Sequence, residues 1–202
     1  MKIKYIDFES NTIDENNISQ GGDYYKAYLN EDNSYKYIET IEGKVVVSID
    51  YYLEEDESLE AILEQFKHLE QITFFTKKET RGEYNKYEVI TYFKNVRQKV
   101  IRLQVFKDLL LPIYDFAADT SKNEIVSFSK NHYDLENRIH YEFEYESSGE
   151  LKQITVYDPT NHVDTSNFTI LPDQVGKNKN DYGFDWERFE YYQNAQMVFP
   201  KS

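Results

Sequence analysis

The sequence predicts an α+β fold, a mainly antiparallel and curved β-sheet built from hairpins, with one central amphipathic helix packed on it. Three observations predict it. Most of the readable chain alternates apolar and polar residues with period two, as half-buried strands do. Glycine- and asparagine-bearing turns separate these runs at hairpin spacing. One segment, Asp56 to Leu69, carries Leu59, Ile62, Leu63, Phe66 and Leu69 at helical spacing, which places them on one face.

Composition sets the bounds. The chain has 202 residues, enough for a real core in a single domain spanning 1–202, with a loop-rich segment from about 158. Mean hydropathy is low, at −0.76. Yet aromatic residues make up 16% of the chain, 19 of them Tyr and 13 Phe, and rings this frequent need somewhere to pack. Tyr and Phe favour strands and interfaces, so a Leu-rich helical bundle is disfavoured.

Taken in order, Lys2 to Phe8 reads as a strand and Glu9 to Gly22 as a polar loop. Tyr24 to Leu29 is a short aromatic strand. Tyr35 to Ile41 and Lys44 to Leu53 form a hairpin about Glu42-Gly43, where glycine accepts positive φ. Val45, Val47, Ile49, Tyr51 and Leu53 face one way; Val46, Ser48, Asp50 and Tyr52 face the other. The helix follows, with Asp56 or Ser58 as its cap. Leu63 and Phe66 are expected deep against the sheet.

Ile72 to Thr76 is a strand and Lys77 to Gly82 a charged turn. Tyr84 to Lys94 and Lys99 to Lys107 form a second hairpin around Asn95 to Gln98. Pro112 forbids a continuous helix through Asp108 to Asp119, which reads as an irregular apolar crossover. Glu124 to Ser129 is a strand. Arg138 to Glu146 alternates most cleanly: Ile139, Tyr141, Phe143 and Tyr145 point inward, and His140, Glu142, Glu144 and Glu146 point outward. Leu151 to Tyr157 returns. Asp185 to Met197 is expected to hold a short C-terminal helix.

Charge and motifs narrow the function. Lys+Arg 23 against Asp+Glu 37 gives a net charge of −14, which disfavours nucleic acid and anionic membrane as partners and attracts a basic protein. With no cysteine, thiolate catalysis and Cys-ligated zinc are excluded. The residues from Met1 to Ser10 lack the apolar run of a signal peptide, so a cytoplasmic location is expected. The Asn-, Lys-, Ile- and Tyr-rich, Ala-poor composition suits an AT-rich bacterium or phage.

His68, His132, His140 and His162 lack zinc-site spacing, and no nucleophile elbow or Gly-rich phosphate loop is present. No catalytic, cofactor-binding or metal-ligating residue is therefore assigned, and no cofactor is expected. His140 and Glu142 share a strand face and could act as an acid–base pair, but the simpler reading is a solvated face.

The acidic clusters carry the remaining signal. Glu54, Glu55, Asp56 and Glu57 precede the helix, and Glu142, Glu144 and Glu146 line a strand face. Tyr52, Tyr191 and Tyr192 lie near similar charge in sequence. Carboxylates beside tyrosines suit docking to a basic protein, because charge orients the partner and rings supply buried anchor area. The leading expectation is an acidic protein-binding domain of the immunity or antitoxin kind, neutralising a basic toxin such as a nuclease by covering its active site. The alternatives are a small-molecule binder or enzyme with an aromatic-lined pocket in the curved sheet, and a phage or assembly structural subunit.

Overall fold

In a computed structural model the chain is described over residues 1–8, 11–18, 22–107, 112–133, 139–157, 168–175 and 190–200. The strands are β1 (Lys2–Ile6), β2 (Thr12–Ile13), β3 (Tyr24–Leu29), β4 (Tyr35–Glu42), β5 (Val45–Leu53), β6 (Gln71–Arg81) and β7 (Tyr84–Phe93). They continue with β8 (Val96–Phe106), β9 (Pro112–Asp119), β10 (Glu124–Tyr133), β11 (Ile139–Tyr145), β12 (Leu151–Val156) and β13 (Phe168–Ile170). The helices are α1 (Leu59–Phe66) and α2 (Glu190–Gln193). Hydrogen bonding orders the 13 strands β13-β12-β11-β10-β9-β8-β7-β6-β5-β4-β3-β1-β2. The sheet is open and dominated by antiparallel pairs. The pairing of β5 with β6 is parallel.

The expected central helix is corrected. It covers Leu59–Phe66 rather than 56–69, and none of its residues is buried. Ser58, not Asp56, caps it, accepting from the Ala61 N–H at 3.3 Å. Two turns are too short to organise the fold. α1 is instead the crossover that the parallel β5–β6 pair requires. Leu63 and Phe66 are half-buried, and it is Leu69, beyond the helix, that is buried.

Three further boundaries differ. β6 runs on to Arg81 through the expected charged turn. Pro112 begins β9 instead of marking an irregular crossover, because a first strand residue can do without its N–H. The tight turn between β7 and β8 is Lys94-Asn95, both at positive φ (49° and 62°), so β8 starts at Val96. Gly43-Lys44 does the same between β4 and β5, at 55° and 81°. Positive φ at both central residues is the turn that matches strand twist. Of the expected C-terminal helix, Glu190–Gln193 is helical and 185–189 lie outside the described residues.

The chain divides into two compact units, Met1–Glu79 with Tyr87–Ile101, and Thr80–Lys86 with Arg102–Ser202. In the first, Ile49, Tyr51, Ile72 and Phe74 form a buried cluster with Leu69, and Tyr37, Leu59, Ile62, Leu63 and Phe66 pack on it. The other face of the same strands is also buried: Ala27, Ile38, Tyr52, Thr73 and Phe75 all fall below a tenth exposed.

In the second unit the register aligns Tyr114, Lys130, Phe143, Ile154 and Ile170 across β9 to β13. The expected inward set holds for Tyr141, Phe143 and Tyr145, all buried, while Glu142 and Glu144 are half-buried and Glu146 exposed. The side chains of Ile139 and His140 lie outside the described residues, and with them the His140–Glu142 pair. The fully buried Lys130 interrupts this apolar row. Its Nζ donates to the carbonyls of Tyr191 (2.8 Å), Asn194 (2.6 Å) and Met197 (2.8 Å), and sits 4.0 Å from the centre of the Tyr191 ring. All three ammonium donors are thereby used, and the carbonyls of Tyr191 in α2 and of Asn194 and Met197 beyond it gain a charged donor.

Candidate docking surface

The first unit gathers carboxylates from two turns. The β3–β4 turn holds Glu31 and Asp32, and the β5–α1 loop holds Glu54, Glu55, Asp56 and Glu57. Asn30 joins them, its Nδ2 donating to Glu54 Oε1 at 3.3 Å and to Ser34 Oγ at 3.1 Å. Asp32 builds its own turn, accepting from the Ser34 N–H at 2.9 Å and the Ser34 hydroxyl at 2.6 Å. These bonds, with Lys77 nearby, hold its carboxyl below the usual range.

Glu57 is the hub. Its Oε2 accepts from Lys36 Nζ at 2.6 Å and from the Glu54 N–H at 3.0 Å, and its Oε1 accepts from the Tyr51 hydroxyl at 2.8 Å. Burial works to raise its carboxyl, but the Lys36, Glu54 and Tyr51 hydrogen bonds outweigh it, so it stays below its ordinary value. Burial likewise works to lower the Lys36 ammonium, and Glu57 and Glu54 outweigh that and raise it. Glu54 lies 3.0 Å from the same Nζ. Glu57 thus holds the loop in shape, while Glu31, Asp32, Glu54, Glu55 and Asp56 present exposed charge.

The second group of carboxylates lies in the second unit. Glu142 accepts from the Tyr157 hydroxyl at 2.7 Å. Burial first, then Glu142, push that hydroxyl up to about 12. Glu144 accepts from Lys152 Nζ at 3.2 Å and Gln153 Nε2 at 2.7 Å. Glu146 is exposed in the β11–β12 turn. Asp115 shares the face of Glu142 and Glu144 through Ser129 and Asn131. Burial pushes its carboxyl up, with Arg102 at 3.3 Å opposing. Glu144 is thus partly neutralised within its own sheet, which leaves the rim of Glu31, Asp32 and Glu54 to Asp56 as the more open acidic surface.

The tyrosines named with these clusters lie in the interior. Tyr52 and Tyr191 are each 8% exposed. Tyr192 is half-buried, with its ring stacked on Phe143 at 4.4 Å and its hydroxyl donating to the Asn131 carbonyl at 3.2 Å. They are removed from the docking surface, because rings fill the core that leucines fill elsewhere.

Sequence reading missed Glu31 and Asp32, which reach the rim only through the β3–β4 fold-back, and Lys36, whose ammonium ties down the loop. It also missed Asp50. Burial pushes the Asp50 carboxyl up to about 6, against a hydrogen bond from Thr73. An acidic residue between Ser48 and Tyr52 on one strand face was its signal. Among the described residues, no three His, Asp or Glu side chains are grouped as a metal ion would need. Among the same residues no helix is long and apolar enough to cross a membrane. The chain matches no protein-family model, no curated protein and no solved structure.

Proposed function

We propose that the chain is a cytosolic acidic protein-binding domain of the immunity or antitoxin kind, which neutralises a basic toxin, a nuclease among the candidates, by covering its active site. The observation that supports this reading is the rim of Glu31, Asp32, Glu54, Glu55 and Asp56, where two turns are held together by Asn30 and braced by Lys36 and Glu57. A braced rim presents charge without ordering it on contact, and preorganised charge speeds the approach of an opposite charge. The net charge of −14 adds to the same field.

The test begins with a basic partner captured by the tagged protein from the source cell at low salt. Reversing Glu31, Glu55 and Asp56 to Lys should slow association with that partner and flatten its salt dependence, leaving the melting temperature nearly unchanged. If no basic protein is retained, or the triple variant associates equally fast, the reading fails.

A further inference from the structure

We propose that the free half of β1 is a strand-addition site, which takes an extended segment of another protein carrying acidic and apolar residues in alternation. β1 pairs with β3 along its whole length, from Lys2 against Leu29 to Ile6 against Tyr25. On its other edge β2 covers only Tyr5 and Ile6, through Ile13 and Thr12. β2 stands last in the sheet order on this side. Beyond Ile13 the chain leaves the strand line: Asp14 caps a 3-10 turn over Glu15–Asn17, accepting from the Asn16 N–H at 2.8 Å. Among the described residues, Lys2, Ile3 and Lys4 therefore have no strand beside them on that edge.

This edge opens on a groove of about 540 Å³, lined by Lys2 to Tyr5, by Leu29 and by Thr12 to Asn16. That size lies within the range of ligand clefts, about 300–1,000 Å³. The backbone N–H and C=O groups here that point away from β3 have no strand to bond, and an unpaired edge is a template for a further strand.

Side chains select the occupant. Lys2 and Lys4 fall on one face of β1 and Ile3 on the other. Ile3 is 44% exposed and ends the row of Tyr28, Tyr37 and Tyr51, so an apolar residue set opposite it would lengthen that row. The charges lining the groove are unevenly satisfied. Glu15 accepts from the Tyr5 hydroxyl at 2.9 Å, and Asp14 accepts from Asn16 Nδ2 at 2.9 Å as well as from its N–H. Among the described residues, Lys2 reaches only a neutral amide, Asn33 Oδ1 at 3.2 Å, and Lys4 has no carboxylate partner. The groove thus offers ammonium groups without counter-ions beside carboxylates already engaged, which favours acidic residues opposite Lys2 and Lys4. A second copy of the chain, adding the same edge antiparallel across Ile3, would set lysine against lysine, and that repulsion disfavours it.

The probe is the peptide acetyl-Glu-Val-Glu-Val-Glu-amide, titrated into the full chain at physiological salt, which screens the distant carboxylates. Binding is followed by NMR at the amides of Lys2, Ile3, Lys4 and Ile13. Saturable shifts are expected, with slowed hydrogen exchange at the β1 amides that the peptide bonds. Lys4→Glu should weaken binding about fivefold or more and strengthen binding of acetyl-Lys-Val-Lys-Val-Lys-amide, while its circular dichroism stays that of wild type. The acidic peptide N-methylated along its backbone, which cannot extend a ladder, should not bind. No saturable shift at millimolar concentration, equal binding of the lysine peptide at these amides of the wild type, or undiminished binding of the N-methylated peptide would overturn the proposal. Self-association through β1, seen as shifts at the same amides that follow protein concentration without peptide, would overturn it too. The partner test above reverses Glu31, Glu55 and Asp56, none of which lines this groove, so the two succeed or fail separately.

Discussion

Replacing Lys130 with Met removes the buried ammonium and keeps an unbranched stem of similar length. The carbonyls of Tyr191 and Met197 lose this donor, while that of Asn194 keeps the Met197 N–H at 3.0 Å. Each buried carbonyl left unpaired costs about 1–3 kcal/mol. Part of that is offset, because the variant no longer buries a charge, and the expected net loss is about 2–4 kcal/mol. The pH dependence checks the mechanism. Burial pushes the Lys130 ammonium down to about 7, against 10.5 ordinarily. Between these values the unfolded chain holds a proton that the folded chain has released. Wild-type stability should therefore rise with pH above about 7, by at most about 1.4 kcal/mol per pH unit. The rise should stop near pH 10. There the unfolded tyrosines ionise, whereas burial keeps those of Tyr145, Tyr191 and Tyr192 protonated in the fold. Urea unfolding followed by circular dichroism from pH 6 to 9.5 measures both. A Met variant as stable as wild type, or one that retains the wild-type rise, would refute the reasoning.

Asp50→Asn should stabilise the protein by up to about 3 kcal/mol near neutral pH. The folded carboxyl keeps its proton up to about 6 while the unfolded one loses it near 3.8, so wild-type stability should fall across that window and the variant's should not. Thermal melts from pH 3.5 to 7 test this. Glu57→Ala leaves Lys36 with Glu54 alone and strands the Tyr51 hydroxyl, and should cost about 1–3 kcal/mol, whereas Glu55→Ala, on the same loop, should stay within about 0.5 kcal/mol; denaturant titration separates them. Phe66→Ala removes a half-buried ring and should cost about 1–2 kcal/mol, less than a core phenylalanine. A loss above about 3 kcal/mol would show that α1 contributes more than its exposure allows.

Period-two patterning exposed the strands, and it was most accurate where one face is apolar and the other charged, as in Tyr141 to Tyr145. It could not find both faces of β5 buried, because alternation distinguishes faces only when they differ. The helical stripe from Leu59 to Leu69 was real as a pattern, but a stripe does not report how much area a neighbour covers. Lys130 was invisible: nothing near it in sequence foretells carbonyls that arrive more than sixty residues later. The acidic loop at Glu54–Glu57 was legible as charge. Its division into a bracing Glu57 and outward neighbours depends on Lys36, which only the hairpin brings close.

The strand order has a kinetic consequence. From β4 to β13 every strand lies beside its predecessor in the chain, and only β3, which pairs with β1 instead of β2, departs from that rule. Most pairings therefore close short loops, whose entropy cost grows only slowly with length. Each hairpin can form early and recruit the next, in the manner of a repeat array, and such local connectivity favours rapid folding for a sheet of this size. The slow element is the parallel β5–β6 pair, which must wait for the intervening chain to cross over. Amides on that pair should become protected after those of the flanking hairpins, which makes the crossover the gate through which the first unit matures.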